Sequence, residues 1–212
     1  MRRLPVYLLL DTSGSMSGEP IEAVKNGVQL LVSTLRQDPY ALETAYLSVL
    51  TFDSSARQAV PLTELVSFQP PVLKASGTTA LGEVLALLAD CIEREVARTT
   101  AETKGDWKPL VFIMTDGAPT DDWRQGLDRL KQARVGILVA CAAGQGADTE
   151  ILKQITETVV RLDTADASTI AAFFKWVSAS VATGSQKVDQ GQKEVDGLAD
   201  LPPPPPEVNL VL

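Results

Sequence analysis

The 212-residue chain contains no histidine. That absence removes Ser-His-Asp and Cys-His nucleophilic machinery and every histidine-containing metal site. Cysteine is almost as scarce. Cys91 and Cys141 stand 50 positions apart and form no C-x-x-C pair, so they build neither a disulfide framework nor a zinc site. They read as small buried hydrophobes in reduced form. Net positive charge is missing too: 19 Lys and Arg against 27 Asp and Glu leave a formal −8, a poor balance for nucleic acid or an anionic membrane. No run approaches the ~20 apolar residues that cross a bilayer. The apolar stretch after Met1-Arg2-Arg3 ends at Asp11, too early for a secretory leader. These readings predict a soluble, cytoplasmic protein with no nucleic-acid partner and no membrane insertion.

What is present has the rhythm of an α/β domain. Val6–Leu10, Leu110–Met114 and Val135–Ala142 are continuous apolar runs, the pattern of strands buried on both faces. Ala45–Phe52 reads as another strand. A polar turn at 53–55 then leads to a weaker strand near Arg57–Val60, and together they make an edge hairpin. Thr158–Leu162 is a short sixth strand. Between them lie helical stripes: Ile21, Val24, Val28, Leu31, Val32 and Leu35 in one, Leu81, Val84, Leu85, Leu88, Ile92 and Val96 in the next. Helices are also expected over Asp121–Ala133 and Asp148–Thr156, and along the stripe from Ile170 to Val181. The order implies a mostly parallel six-stranded sheet with one antiparallel edge strand and helices on both faces.

Composition shifts after residue 183. Residues 184–200 are polar, and Pro202–Pro206 is an unbroken proline run that favours an extended, unbonded helix. The reading is a domain over 1–183 and a flexible polar, proline-rich tail over 184–212, dispensable for folding.

In an open parallel sheet, ligands bind beyond the carboxyl ends of the strands. There the sequence places Asp11-Thr12-Ser13-Gly14-Ser15 after the first strand, Ser76-Gly77-Thr78-Thr79 before the second long helix, and Thr115-Asp116-Gly117 after the fourth strand. Two carboxylates and a set of hydroxyls at one end of a sheet suit a hard divalent cation such as Mg²⁺, which takes oxygen ligands and keeps several waters. Taken singly, each piece has a plainer reading: serines and aspartates cap helices, and Asp-Gly makes turns. Asp53 reads as a hairpin turn near the rim, and Asp121-Asp122-Trp123 as a helix start.

Together the three segments resemble the von Willebrand factor A (VWA) domain, a Rossmann-like fold. Its metal-ion-dependent adhesion site (MIDAS) is built from D-x-S-x-S, then a Thr, then an Asp. Asp11-Thr12-Ser13-Gly14-Ser15 matches the first part, Gly77-Thr78-Thr79-Ala80-Leu81-Gly82 resembles the G-G-T-x-x-G segment, and Thr115-Asp116-Gly117-Ala118-Pro119 resembles T-D-G-x-P. Thr78 stands where a second Gly is common. The resemblance implies metal ligation by Asp11, Ser13, Ser15, Thr79 and Asp116. The ion would be Mg²⁺, Mn²⁺ or Ca²⁺, with an acidic residue of a protein partner completing the shell. It implies a non-catalytic binding module and no enzyme.

The flanks Arg2-Arg3-Leu4-Pro5-Val6-Tyr7 and Met16-Ser17-Gly18-Glu19-Pro20-Ile21 further resemble bacterial tellurium-resistance VWA proteins of the TerY type. That resemblance implies an adaptor associated with a protein kinase and a protein phosphatase in a stress-linked system. The alternatives are a VWA scaffold without functional metal and a metal-dependent phosphotransferase of the haloacid-dehalogenase type. Ser13 stands where the latter needs a second acid, and no Lys lies between Leu110 and Leu130.

Overall fold

The computed structural model describes residues 2–211. Its strands are β1 (Leu4–Asp11), β2 (Ala45–Phe52), β3 (Ala56–Glu64), β4 (Leu110–Thr115), β5 (Ile137–Ala143), β6 (Thr158–Leu162) and β7 (Asn209–Leu210). The helices are α1 (Glu19–Leu35), α2 (Pro39–Thr44), α3 (Leu81–Glu95), α4 (Trp123–Leu130), α5 (Thr149–Ile155) and α6 (Ala167–Asp189). One sheet runs in the order β3-β2-β1-β4-β5-β6-β7, parallel throughout except for the antiparallel pairs at its two edges. The α/β class and the β2–β3 edge hairpin agree with the sequence reading. The sheet, however, has seven strands and two antiparallel edges where six strands and one were expected.

The apolar runs of the inner strands are explained by a covering of helices on both faces. Along β1, Leu4, Val6, Leu8 and Leu10 join a core with α1 and α6, while Tyr7 and Leu9 join the opposite core under α3 and α4. All eight residues of β1 are buried, because it has parallel neighbours on both sides and helices above and below. α3 and α4 cross so closely that a Cβ on Gly126 would clash severely with the Gly82 carbonyl oxygen, so both positions exclude a side chain. Cys91 and Cys141 are buried free thiols. Trp123, at the start of α4, is buried, and Trp107 seats the segment before β4.

The end opposite the strand carboxyl termini is held by charge. Asp106, only 7 % exposed, takes hydrogen bonds from the Arg3 guanidinium and from the Ala97 N–H. Glu95 accepts from the Tyr7 hydroxyl and the Gln58 amide. Asp106 and Glu95, which stand in a stretch rich in charge, are thus tied into the molecule.

The boundary expected at residue 183 falls inside α6, which runs to Asp189. Gly184 packs against Leu4 and Leu110, and Ser185 is fully buried. Beyond the helix the chain crosses the charged end of the sheet. Glu194 meets Arg2 and Arg134, Asp196 meets Lys108, and Asp200 meets Lys187. Val195, Leu201 and Val208 are buried in the α1/α6 core, and Trp176 Nε1 donates to the Pro202 carbonyl at 2.8 Å. The proline run then delivers β7 to the free edge of β6. Three apolar anchors spaced six and seven residues apart are too sparse to register as periodicity, which is why composition alone read the segment as a tail.

Burying a valine or leucine contributes about 1.5–3 kcal/mol as an upper estimate. A chain ending at Asp189 should therefore melt about 10 °C or more below the full protein in a calorimetric scan. A shift within about 2 °C would show that residues 190–211 add nothing to the domain.

Candidate functional site

β1 is the strand at which the direction of winding reverses. From it the chain passes by α1 to β2 on one side, whereas β4, its other neighbour, is reached only later through α3. Successive loops leave toward opposite faces here, opening a crevice at the carboxyl ends of β1 and β4, the usual ligand site of such sheets. Register places Leu10 beside Met114, so Asp11 and Thr115 emerge side by side.

Asp11 is 1 % exposed. One carboxylate oxygen accepts the Ser13 N–H at 2.7 Å and the other the Thr115 hydroxyl at 2.6 Å. Burial pushes this carboxyl above its ordinary value of 3.8. The Ser13 and Thr115 hydrogen bonds pull the other way, and the charge of Asp116 adds to the rise. From Asp11 the oxygens run on. Ser13 Oγ lies 3.0 Å from Ser15 Oγ, and Ser15 Oγ donates to Asp116 Oδ1 at 2.7 Å, across 101 residues of sequence. Among the described residues no Lys or Arg forms an ion pair with Asp11 or Asp116.

The two adjacent threonines separate cleanly. Thr78 is exposed and turns toward Ser54, to whose Oγ its N–H donates. Thr79 is buried, and its Oγ1 lies 3.7 Å from where a Cβ on Gly117 would sit, which places it beside the loop of Asp116. Gly77 adopts φ +74 directly against Ser54, a conformation and a closeness that favour glycine. All five residues singled out from the sequence thus stand on the three loops at this crevice. Asp53 serves the β2–β3 turn, where its side chain accepts the Ser55 N–H, and its carbonyl also accepts the Ala80 N–H.

Two residues with structural roles here, Thr115 and Thr120, were given none by sequence reasoning, and a third, Asp121, was given another. Thr115 holds Asp11, as above. Thr120 accepts the Thr79 N–H on its hydroxyl and donates its own N–H to the Thr79 carbonyl. Asp121 accepts the N–H groups of Gly82 and Glu83, at 2.9 and 2.8 Å, in the first turn of α3. Asp121 was expected at the start of the following helix. It caps α3 instead, a partnership 39 residues away, while Asp122 caps α4. No local spacing announces a cap supplied from another loop. The cross-links tie the Thr79 and Asp116 loops into one unit, and Gly14 N–H to Gly77 O and Ser76 N–H to Thr12 O tie the Asp11 loop to it.

A cluster of hydroxyls and two carboxylates at the switch point of an open, mostly parallel sheet defines the class of protein. The chain belongs to the von Willebrand factor type A domain family, whose model matches residues 6–175. An uncharacterized protein of Synechocystis sp., sll0103, is 35 % identical over 123 residues, covering 55 % of this chain and 26 % of that protein. The chain thus spans about a quarter of the curated relative it matches.

Among solved structures, a von Willebrand factor type A protein from Catenulispora acidiphila superposes with a TM-score of 0.65 at 19 % identity, over 86 % of this chain and 43 % of that one. Proximal thread matrix protein 1 from the mussel byssus, in a structure with a zinc-occupied MIDAS motif, gives 0.60 at 22 %, over 85 % and 48 %. The pilus adhesin SpaC of Lactobacillus rhamnosus GG gives 0.66 at 14 %, over 86 % and 30 %. These likenesses show the fold. Among the described residues no helix is long and apolar enough to cross a membrane.

Losing the Asp121 carboxylate removes two charge-assisted bonds at a helix N-terminus, a cost of about 1–2 kcal/mol. Asp121→Ala should lower stability by that amount in denaturant unfolding, and Asp121→Asn by less. An unchanged midpoint for Asp121→Ala would show that water replaces the cap without loss.

Proposed function

We propose that this protein is a non-catalytic, metal-dependent protein-binding module. Asp11, Ser13, Ser15, Thr79 and Asp116 would hold a divalent cation, Mg²⁺, Mn²⁺ or Ca²⁺. The supporting observation is the hydrogen-bonded run from Asp11 to the Ser13 N–H and from the Ser13 hydroxyl through that of Ser15 to Asp116, with no cation of the described chain paired to either carboxylate. Two neighbouring carboxylates, one desolvated and pushed up in pKa, make a place where a bound cation offsets the cost of their charge. Among the described residues no group of three or more His, Cys, Asp or Glu could hold a metal, so the donor set is hydroxyl-rich and short of anionic ligands.

When bound, the ion supplies an electrophilic position that accepts an oxygen ligand. Each residue has its part. Asp11 and Asp116 balance charge, the three hydroxyls orient oxygens without cancelling it, and Thr115 and the Ser13 N–H keep Asp11 in its rotamer. The partner would be a protein that presents an acidic residue to that position. The zinc-occupied MIDAS motif of proximal thread matrix protein 1 lends the metal reading support by likeness. The flanking-residue resemblance supports the finer reading: a cytoplasmic adaptor beside a protein kinase and a protein phosphatase in a tellurium-resistance or related stress system.

Titration calorimetry tests the site directly. Mg²⁺ should bind the native protein with modest affinity, and Asp11→Ala and Asp116→Ala should each abolish the heat while leaving far-UV circular dichroism unchanged. Binding retained by both variants would remove these residues from the site. Thr79→Ala should weaken capture of an acidic partner more than it weakens Mg²⁺ binding; an equal loss of both would make Thr79 a ligand of the ion alone.

A further inference from the structure

The charge of the molecule is gathered at one end. The segments there are Asp11–Glu19, the 53–55 turn, 75–80, 116–122, 144–148 and 163–166, which join the strand carboxyl ends to the next elements or lead into α3. They carry nine acidic residues and no Lys or Arg. Taking those nine from the 27 acidic residues leaves 18 against 19 basic ones, so the remainder of the chain is close to neutral and the whole net −8 belongs to this end.

Asp148 and Asp166 cap α5 and α6, and Asp121 and Asp122 cap α3 and α4, which explains their presence locally. Glu19 accepts the Ala167 N–H. Capping does not remove the charge, and Asp122, Asp163 and Glu19 are exposed to an approaching partner. The cations that flank this end are few, and three of them are engaged. Arg161 faces Asp163 at 3.7 Å, Arg57 donates to Thr51, and Arg124 lies over the Trp123 ring. Lys74 stands exposed just before 75–80.

Resting on the metal-dependent reading above, we infer that the partner's ligating carboxylate sits within a basic surface, flanked by Lys or Arg. A lone carboxylate, or one in an acidic stretch, would have to approach the ion through this negative field. Basic neighbours around the carboxylate would be drawn in by Asp53, Asp122, Asp163 and Glu19 while the carboxylate meets the ion. Attraction of this kind sets association rate and partner choice, and it weakens as salt screens it.

Three synthetic peptides test the inference on the Mg²⁺-loaded full chain, with Mg²⁺ binding measured first by calorimetry. One carries a single Glu flanked by lysines, one the same Glu flanked by serines, and one a Gln flanked by lysines. The Lys-flanked Glu peptide should bind about tenfold more tightly than the Ser-flanked one at low ionic strength. That advantage should shrink as salt is added, disappear in EDTA, and be absent for the Gln peptide. The double variant Asp53→Asn/Asp163→Asn should narrow the advantage and leave Mg²⁺ binding unchanged. Equal binding of the two Glu peptides, a tighter Ser-flanked peptide, equal binding of the Gln peptide, or no peptide binding with Mg²⁺ binding intact each overturns the inference and leaves the metal site standing. Absence of Mg²⁺ binding overturns the metal reading and the inference with it.

Discussion

The structure depends on the complete burial of β1. A strand sealed by neighbours on both sides and by helices on both faces must be apolar along its length, and Leu4 to Leu10 meets that demand apart from the hydroxyl of Tyr7, which donates to Glu95. The next residue is a carboxylate. Asp11 is as hidden as the leucines before it, so its charge must be met by hydrogen bonds at once, from the Ser13 N–H and the Thr115 hydroxyl. Both donors are fixed by the same constraint: Ser13 by the chain's turn at the strand end, Thr115 by the parallel register of β4. The site is thus a consequence of where the central strand stops.

From that strand outward, legibility in the sequence follows the physical signal. Continuous apolar runs named the inner strands, because burial on two faces leaves no room for alternation. Three short segments named the candidate site, because hydroxyls and carboxylates at strand ends are chemically uncommon in company. Thr79 was picked out by motif, and its burial beside the Asp116 loop, against the outward turn of Thr78, gives a geometric reason for the choice. Partnerships decided by folding were not legible. Asp121 looked like the cap of the helix it precedes and caps α3 across 39 residues. Asp106 carries no local signal of its partner and is held by Arg3, 103 residues away. Val195, Leu201 and Val208 looked like stray apolar residues in a polar segment, and their anchoring role appears only when α6 delivers the chain to the charged end of the sheet.

That C-terminal segment also accounts for the edge of the sheet. β6 is short and apolar, and an unpaired edge of this kind invites pairing with another chain. β7 supplies only two residues, with Val211 N–H adding a bond to the Val159 carbonyl, yet that is enough to occupy the edge. The proline run before it cannot donate hydrogen bonds and cannot itself become a strand in the sheet interior. The run carries the chain from the Pro202 contact at Trp176, past the buried Val208, to the edge of β6.

The two ends of the sheet solve opposite electrostatic problems. At the amino-terminal ends of the strands, acids and bases interleave: Arg3 with Asp106, Arg2 and Arg134 with Glu194, Lys108 with Asp196. At the carboxyl ends the loops hold acids alone, and the fold tolerates them because the helices begin there. Each N-terminus offers unpaired N–H groups and a partial positive charge, which Asp121, Asp122, Asp148 and Asp166 meet. Asp53 serves a turn and Asp163 faces Arg161, whereas Asp11 and Asp116 lie together between diverging loops, linked through Ser13 and Ser15. Capping ties most of the surrounding acids into the architecture, whereas Asp11 and Asp116 are met by hydroxyls and a backbone N–H and, among the described residues, by no Lys or Arg. The same fold that stabilises an acidic rim therefore sets two carboxylates with no cationic partner among the described residues at one point, at the end of its fully buried central strand.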